Sequence, residues 1–220
     1  MELWQLLDIV PGVTALIGGG GKTTMMYTLA RELTRRGTVI CTTTTHIFPP
    51  DRMPVLSGSG PEAVRAALRM HGCVCLGAPS PEGKLTAPPL PMEALAELAD
   101  YMLVEADGSR GLPVKAHLSH EPVIPPNAGR TVVLVGASGF DRPIREAVHR
   151  WERFCVLTGA APEDPVTAVN LAALLTAEAL GDAVFVNQAE TALTAARRLA
   201  GLLSMPVCAG SLRGGEWKCL

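Results

Sequence analysis

No stretch of this chain approaches the run of about 18 apolar residues that a membrane span requires, so no transmembrane helix is expected. Aromatic residues make up only 4%, too few for the stacking platforms of single-strand nucleic-acid binders. Formal net charge is −2, which gives neither nucleic acid nor an anionic membrane an electrostatic claim on the surface. The opening residues, MELWQLLDIVPG, lack a cationic leader and a small-residue cleavage site, so a cytoplasmic location is expected. None of the 6 cysteines forms a C-x-x-C pair. Most sit in apolar, strand-like stretches and read as reduced core thiols, with Cys219 the most accessible.

What is present is a globular chain of 220 residues, 48% hydrophobic, enough for one domain (1–220) with a full core. Apolar runs at 13–17, 38–42, 73–76, 101–105, 131–135, 183–186 and 206–209 read as buried strands. Helical patterns alternate with them at 23–36, 61–70, 91–99, 144–153, 166–180 and 189–203, with Pro61 and Pro165 in first turns and Asp164 as an N-cap. This alternation predicts an α/β fold in three layers, a mostly parallel sheet with helices on both faces. Such sheets bind ligands beyond the carboxyl ends of their strands, which selects the loops 18–24, 42–50, 106–130 and 136–143. The stretch 78–91 reads as an edge hairpin. Residues 106–130, broken by Pro113, Pro122, Pro125 and Pro126, read as a long active-site loop.

Residues 15–24 read ALIGGGGKTT, a strand breaking into Gly18, Gly19, Gly20 and Gly21, then Lys22, Thr23 and Thr24. Glycines let backbone amides approach phosphate oxygens, and a helix start adds unpaired donors and a positive dipole end. Lys22 would reach terminal phosphates and the Thr23 hydroxyl would ligate Mg²⁺. The full G-x-x-x-x-G-K-[ST] pattern would need glycine where Leu16 stands, so the match is to the shorter G-x-x-G-K-T. A glycine-rich turn that binds nothing is the competing reading.

The strand at 101–105 ends in Glu105, with Asp107 two residues on and on the same side by alternation. Such carboxylates can hold Mg²⁺ or orient a nucleophile, or can simply cap a turn at Gly108. Lys22, Glu105 and Asp107 are the catalytic candidates, and Thr23, Glu105 and Asp107 the metal ligands. Thr43 and Thr44 end the second strand and offer hydroxyls to a substrate, although threonine also suits a plain strand. In the long loop, Arg110, Lys115, His120 and Glu121 are candidates for an anionic second ligand. His117-x-x-His120-Glu121 matches no zinc motif, and the prolines deny it the helix that those motifs need. Asp141 or Arg142 could add to the rim. Asn187-Gln188-Ala189-Glu190 echoes the N-K-x-D element that reads guanine, with Asn187 near the base. A strand end followed by a helix start explains it equally well.

GGGGKTT at 18–24, TTTTHIFPP at 42–50, VEADGSRGLPVKAHLSHEPVIP at 104–125, VHR at 148–150 and the NQAE echo together resemble the YqeC-type accessory proteins of selenium-dependent molybdenum hydroxylases. The resemblance implies a P-loop NTPase-like fold and a role in maturing those hydroxylases. It makes Lys22 and Thr23 phosphate and Mg²⁺ ligands and Glu105 and Asp107 the acidic pair. It also places Lys115, His120 and Glu121 in a family signature. The NQAE string departs from the N-K-x-D-like string usual there. The short glycine loop also resembles that of Mur-type amide ligases, but 220 residues leave no counterpart of their additional domains.

The expected function is therefore Mg²⁺-dependent binding of ATP or GTP with hydrolysis or phosphoryl transfer. A molybdenum hydroxylase or its cofactor is the implied partner, and a homo-oligomer stays open. The alternatives are a small-molecule kinase or ligase, a nucleotide-gated delivery or chaperone protein with little turnover of its own, and a pseudo-enzyme that holds nucleotide only for structure.

Overall fold

A computed structural model describes residues 1–220. Its main sheet contains β1 (Gly12–Gly18), β2 (Val39–Thr43), β3 (Val55–Leu56), β4 (Cys73–Leu76), β5 (Tyr101–Glu105), β6 (Ala128–Gly136), β7 (Ala183–Asn187), β8 (Val207–Ser211) and β9 (Glu216–Cys219). Across the sheet the order is β9-β8-β7-β6-β1-β5-β2-β4-β3. Every neighbouring pair is parallel except β8 with β9. The first strand in sequence thus lies in the middle of the sheet. The chain leaves it toward β2 on one side and later returns to β6 on the other. Neighbouring strand ends whose loops depart in opposite directions open a crevice, and here that crevice lies over Gly18.

Helices cover both faces because strand side chains alternate. Leu16 on β1 joins a core cluster with Met25, Met26 and Leu29 of α2 (Lys22–Leu33), backed by α1 (Leu3–Leu6). Ala15 and Ile17 face the other way. They meet residues of α5 (Ile144–Ala147), α6 (Trp151–Thr158), α7 (Ala168–Glu178) and α8 (Leu193–Ala200). Farther along that same face, Ile40, Val74, Met102 and Val104 pack on Val64 and Leu68 of α3 (Pro61–His71) and Leu95 of α4 (Met92–Ala96). The expected α/β architecture with a mostly parallel, helix-covered sheet is what the structure has.

Several local readings change. The helix expected over 144–153 is two helices separated by a strand, Val148–His149, which pairs in parallel with Val114–Lys115 of the long loop. Arg150 then turns the chain through the left-handed region, at φ 66°. The helix expected from 166 begins at Ala168, and Thr167 caps it by accepting from the Asn170 amide. Asp164 instead accepts from the Ala161 amide at 2.8 Å, within the preceding turn. Pro61 does open α3, and the 78–91 excursion is a hairpin of Ala78–Pro79 with Leu85–Thr86. His46–Ile47 joins that hairpin to make a separate small sheet. All six cysteines are free thiols.

Candidate functional site

Beyond β1 the chain makes a tight loop before α2 begins at Lys22. On its inner side the loop is crowded by the protein's own backbone. A Cβ on Gly19 would come within 2.6 Å of the Leu112 carbonyl oxygen. At Gly20, φ is +78° and a Cβ would run into the Cα and amide nitrogen of Gly136. Internal packing therefore demands glycine here, whatever the loop binds.

The outer side is different. The Gly18 amide donates to Asp107 Oδ2 at 2.8 Å and the Gly19 amide to the Leu134 carbonyl at 2.9 Å. Met25 is the first residue to bond back into the helix, onto Gly21 at 2.9 Å. The five amides between them, of residues 20–24, donate to no protein acceptor. Asn187 ties the loop to the end of β8. Its Nδ2 donates to the Gly20 carbonyl at 2.7 Å while its Oδ1 accepts from the Leu212 amide at 3.0 Å.

Lys22 is buried beneath the loop. Its Nζ donates to the Gly18 carbonyl at 2.6 Å and lies 3.1 Å from Asp107 Oδ1 and 3.8 Å from Glu105 Oε1. The neighbouring Thr23 hydroxyl donates to Glu105 Oε2 at 2.7 Å. These elements floor a cleft of about 980 Å³. One wing of the cleft runs over Asn187, Gln188, Ser211 and Arg213, and the other over Thr45, His46, Phe48 and Lys84.

Residues 14–152 match the family model described as YqeC protein. The chain belongs to the YqeC family. It is 35% identical over 173 residues to a protein of Escherichia coli (strain K12) named uncharacterized protein YqeC, covering 75% of this chain and 68% of that one. The segment that matches the family model, residues 14–152, holds the glycine loop, Glu105, Asp107 and the Phe48 wing. It ends before β7 and Asn187.

In this YqeC-family chain the two strand-end carboxylates occupy different environments. Burial raises the Glu105 carboxyl above its usual range, and Lys22 and Thr23 offset that only in part. Burial acts on Asp107 in the same sense. There the hydrogen bond to His117 and the Lys22 and Lys115 ammoniums outweigh it and hold the carboxyl down to about 2. Glu105 borders the cleft and Asp107 lies beneath it. Behind Asp107 runs a chain of charge, buried at Lys115 and His117 and reaching the surface at Arg150. His117 Nε2 meets Asp107 Oδ2, and His117 Nδ1 meets Glu178 Oε2. Lys115 Nζ donates to Glu121 Oε2 at 2.7 Å, and Arg150 Nε donates to Glu121 Oε1 at 3.1 Å.

The candidates named from sequence divide accordingly. Gly20, Gly21, Lys22, Thr23, Thr24, Glu105, Arg110 and Asn187 line the cleft. Gly18, Gly19 and Asp107 support it from below. The Thr43 hydroxyl donates to the Glu105 carbonyl and the Thr44 hydroxyl to the Val123 carbonyl, each at 2.8 Å, so both serve the backbone. Thr45, one residue on, is the threonine that reaches the cleft. Lys115 and Glu121 belong to the buried network, and His120 is exposed away from the cleft. Of the long loop only residues 108–111 reach the cleft, and of 136–143 none does.

Sequence reasoning missed His117 as a partner of Asp107, and Glu178 altogether. Their contact spans 61 positions, so no local pattern announces it. It also missed Phe48, Lys84 and Arg213, which reach the cleft through the small sheet and the end of β8.

No group of three or more His, Cys, Asp or Glu side chains is arranged to hold a metal. Mg²⁺ needs no such cage, because it takes one or two protein oxygens and fills its shell with phosphate and water. Thr23 Oγ1 and Glu105 Oε2, side by side on the cleft, fit that demand.

Proposed function

We propose that this protein binds ATP or GTP with Mg²⁺ and hydrolyses it or transfers its terminal phosphoryl group. The observation that carries the reading is that the five residues whose amides find no protein acceptor, 20–24, all line a cleft that Glu105 also borders. Unpaired amides at a helix start are an anion site by construction, since the donors and the dipole point the same way. The P-loop NTPase-like character belongs to this proposal. So does service as a cytoplasmic accessory in maturing selenium-dependent molybdenum hydroxylases, which the family resemblance supports. No helix is long and apolar enough to cross a membrane.

The chain's own groups divide the work. The loop amides cradle the phosphates. Lys22, now resting on Gly18 and Asp107, moves its ammonium a short way outward onto the terminal phosphate oxygens. Asp107 sets the position from which Lys22 moves and, through the Gly18 amide, fixes the start of the loop. Thr23 and Glu105 would hold Mg²⁺, whose charge would offset that developing on the phosphate oxygens. Asn187 braces the loop from the other side. Such a reaction needs mainly positioning and charge neutralisation.

The test is thermal unfolding with ATP, GTP and CTP, with and without Mg²⁺, on the wild type, Thr23→Ala and Lys22→Ala. Wild-type protein gains Mg²⁺-dependent stability from at least one nucleotide, about 2.7 kcal/mol at a hundred-fold excess over Kd. Thr23→Ala loses the Mg²⁺-dependent part and Lys22→Ala loses the whole response. Equal responses from all three proteins would overturn the reading.

A further inference from the structure

The cleft extends to both sides of the phosphate loop, and the two wings differ in chemistry. Beyond β7 and β8 the lining is Asn187, Gln188, Glu190, Ser211 and Arg213, groups that hydrogen-bond. The wing beyond β2 is built otherwise. His46 and Ile47 pair with Thr86 and Leu85, and one step farther that register sets Phe48 opposite Lys84. Phe48 is 66% exposed, and the Lys84 ammonium stands over its ring, 5.2 Å from the centroid. The ring is held on a fixed backbone, because the Tyr27 hydroxyl donates to the Phe48 carbonyl at 3.1 Å. Lys84 has one weak acidic neighbour, Glu82 at 3.6 Å, and Arg110 across the cleft pairs with no carboxylate.

This wing starts beside the metal-side residues. Thr43 pairs with Glu105 in the sheet, and the Thr44 amide donates to the Glu105 carbonyl at 3.1 Å. A molecule lying on Phe48 therefore sits at the Glu105 and Thr23 end of the cradle, across the loop from Asn187.

We propose that the wing formed by Phe48, Lys84 and His46, with Arg110 on the cleft's other wall, binds a second small molecule, a planar aromatic ring bearing a phosphate or carboxylate, beside the terminal phosphate of the nucleotide. The inference rests on the phosphate site proposed above and names the class of its second ligand. The exposed ring supplies a stacking face, and Lys84 and Arg110 supply the charge for the anionic group. The nucleotide's own base is the competing occupant, and the experiment separates the two.

Protein saturated with Mg²⁺ and a non-hydrolysable analogue of ATP or GTP is titrated calorimetrically with 1-naphthyl phosphate, 1-naphthoate, 1-naphthol and inorganic phosphate. At least one ringed anion binds about ten-fold tighter than naphthol or phosphate, because ring and charge both contribute. Phe48→Ala and Lys84→Ala each weaken that ligand by about five- to ten-fold, and Phe48→Trp restores the stacking. Nucleotide affinity, titrated separately on the same variants, stays within about two-fold of wild type. Naphthol or phosphate binding as well as the ringed anions would overturn the proposal. So would a Phe48→Ala variant that loses nucleotide instead, which would seat the base on this wing. Failure of the nucleotide to bind at all would sink the phosphate site itself, a result distinct from either.

Discussion

His117 Nε2 lies 2.7 Å from Asp107 Oδ2 while its other ring nitrogen lies 2.7 Å from Glu178 Oε2. A neutral imidazole has one N–H to give, so it can satisfy one of these carboxylates and repels the other. The arrangement asks for the imidazolium, and the charges around it agree. Lys22, Lys115 and Arg150 face Glu105, Asp107, Glu121 and Glu178, and a protonated His117 brings this ion-paired set to balance. Burial alone would lower the pKa of His117, but its two carboxylate partners outweigh that and raise it.

A raised pKa in the folded state stabilises the protein below the unfolded value of about 6.5, and this contribution is lost as pH rises through the folded value. Wild type should therefore lose stability between pH 6 and pH 9 by more than His117→Gln does. At pH 6 the variant should be about 2 kcal/mol less stable, the cost of a lost charge-assisted hydrogen bond. Urea denaturation at the two pH values measures both quantities. Parallel stability curves would show that His117 is not charged in the fold.

Lys22 and Glu105 should move stability in opposite directions. Lys22→Ala removes a cation from buried Asp107 and should cost about 3 kcal/mol with no nucleotide present. Burial has raised the Glu105 carboxyl, so its charge is a strain on the fold at neutral pH. Glu105→Gln can still accept from Thr23, and it should stabilise the free protein by about 1 kcal/mol while abolishing the Mg²⁺-dependent response to nucleotide. A Glu105→Gln protein that is destabilised, or that keeps its Mg²⁺ response, would remove Glu105 from the metal site.

Gly20→Ala should cost about 3 kcal/mol even in the absence of ligand, from the positive φ and the collision with Gly136. Gly111→Ala is the control. Its φ is also positive, +76°, but a Cβ there meets nothing, so only the backbone strain remains, about 1 kcal/mol. Equal losses at the two positions, read by chemical denaturation, would show that the packing against Gly136 is not what requires glycine at 20.

Much of the fold was legible because local patterns carry it. The strands at 73–76 and 101–105 fall where the apolar runs place them, and the glycine loop leads into α2 as its residues predict. The antiparallel β9 was not legible, since Glu216–Cys219 is mostly exposed and has no apolar run to mark it. The split between α5 and α6 was hidden for another reason. A helical pattern over 144–153 is overridden by pairing of Val148–His149 with Val114–Lys115, a partner far off in sequence. Within the candidate site the types of residue were readable and their directions were not. Thr43 and Thr44 turn their hydroxyls to backbone carbonyls, and Thr45 reaches the cleft.

By itself the sequence determined which strand ends in the glycine loop, which helix follows it and which carboxylates stand near, because spacing along one chain fixes those neighbours. Only the tertiary structure decided that Glu105 faces the cleft while Asp107 is buried under Lys22, that His117 bridges to Glu178, and that Phe48 meets Lys84. Each of these depends on segments brought together across the sheet, where packing and charge balance act at distances that no local pattern records.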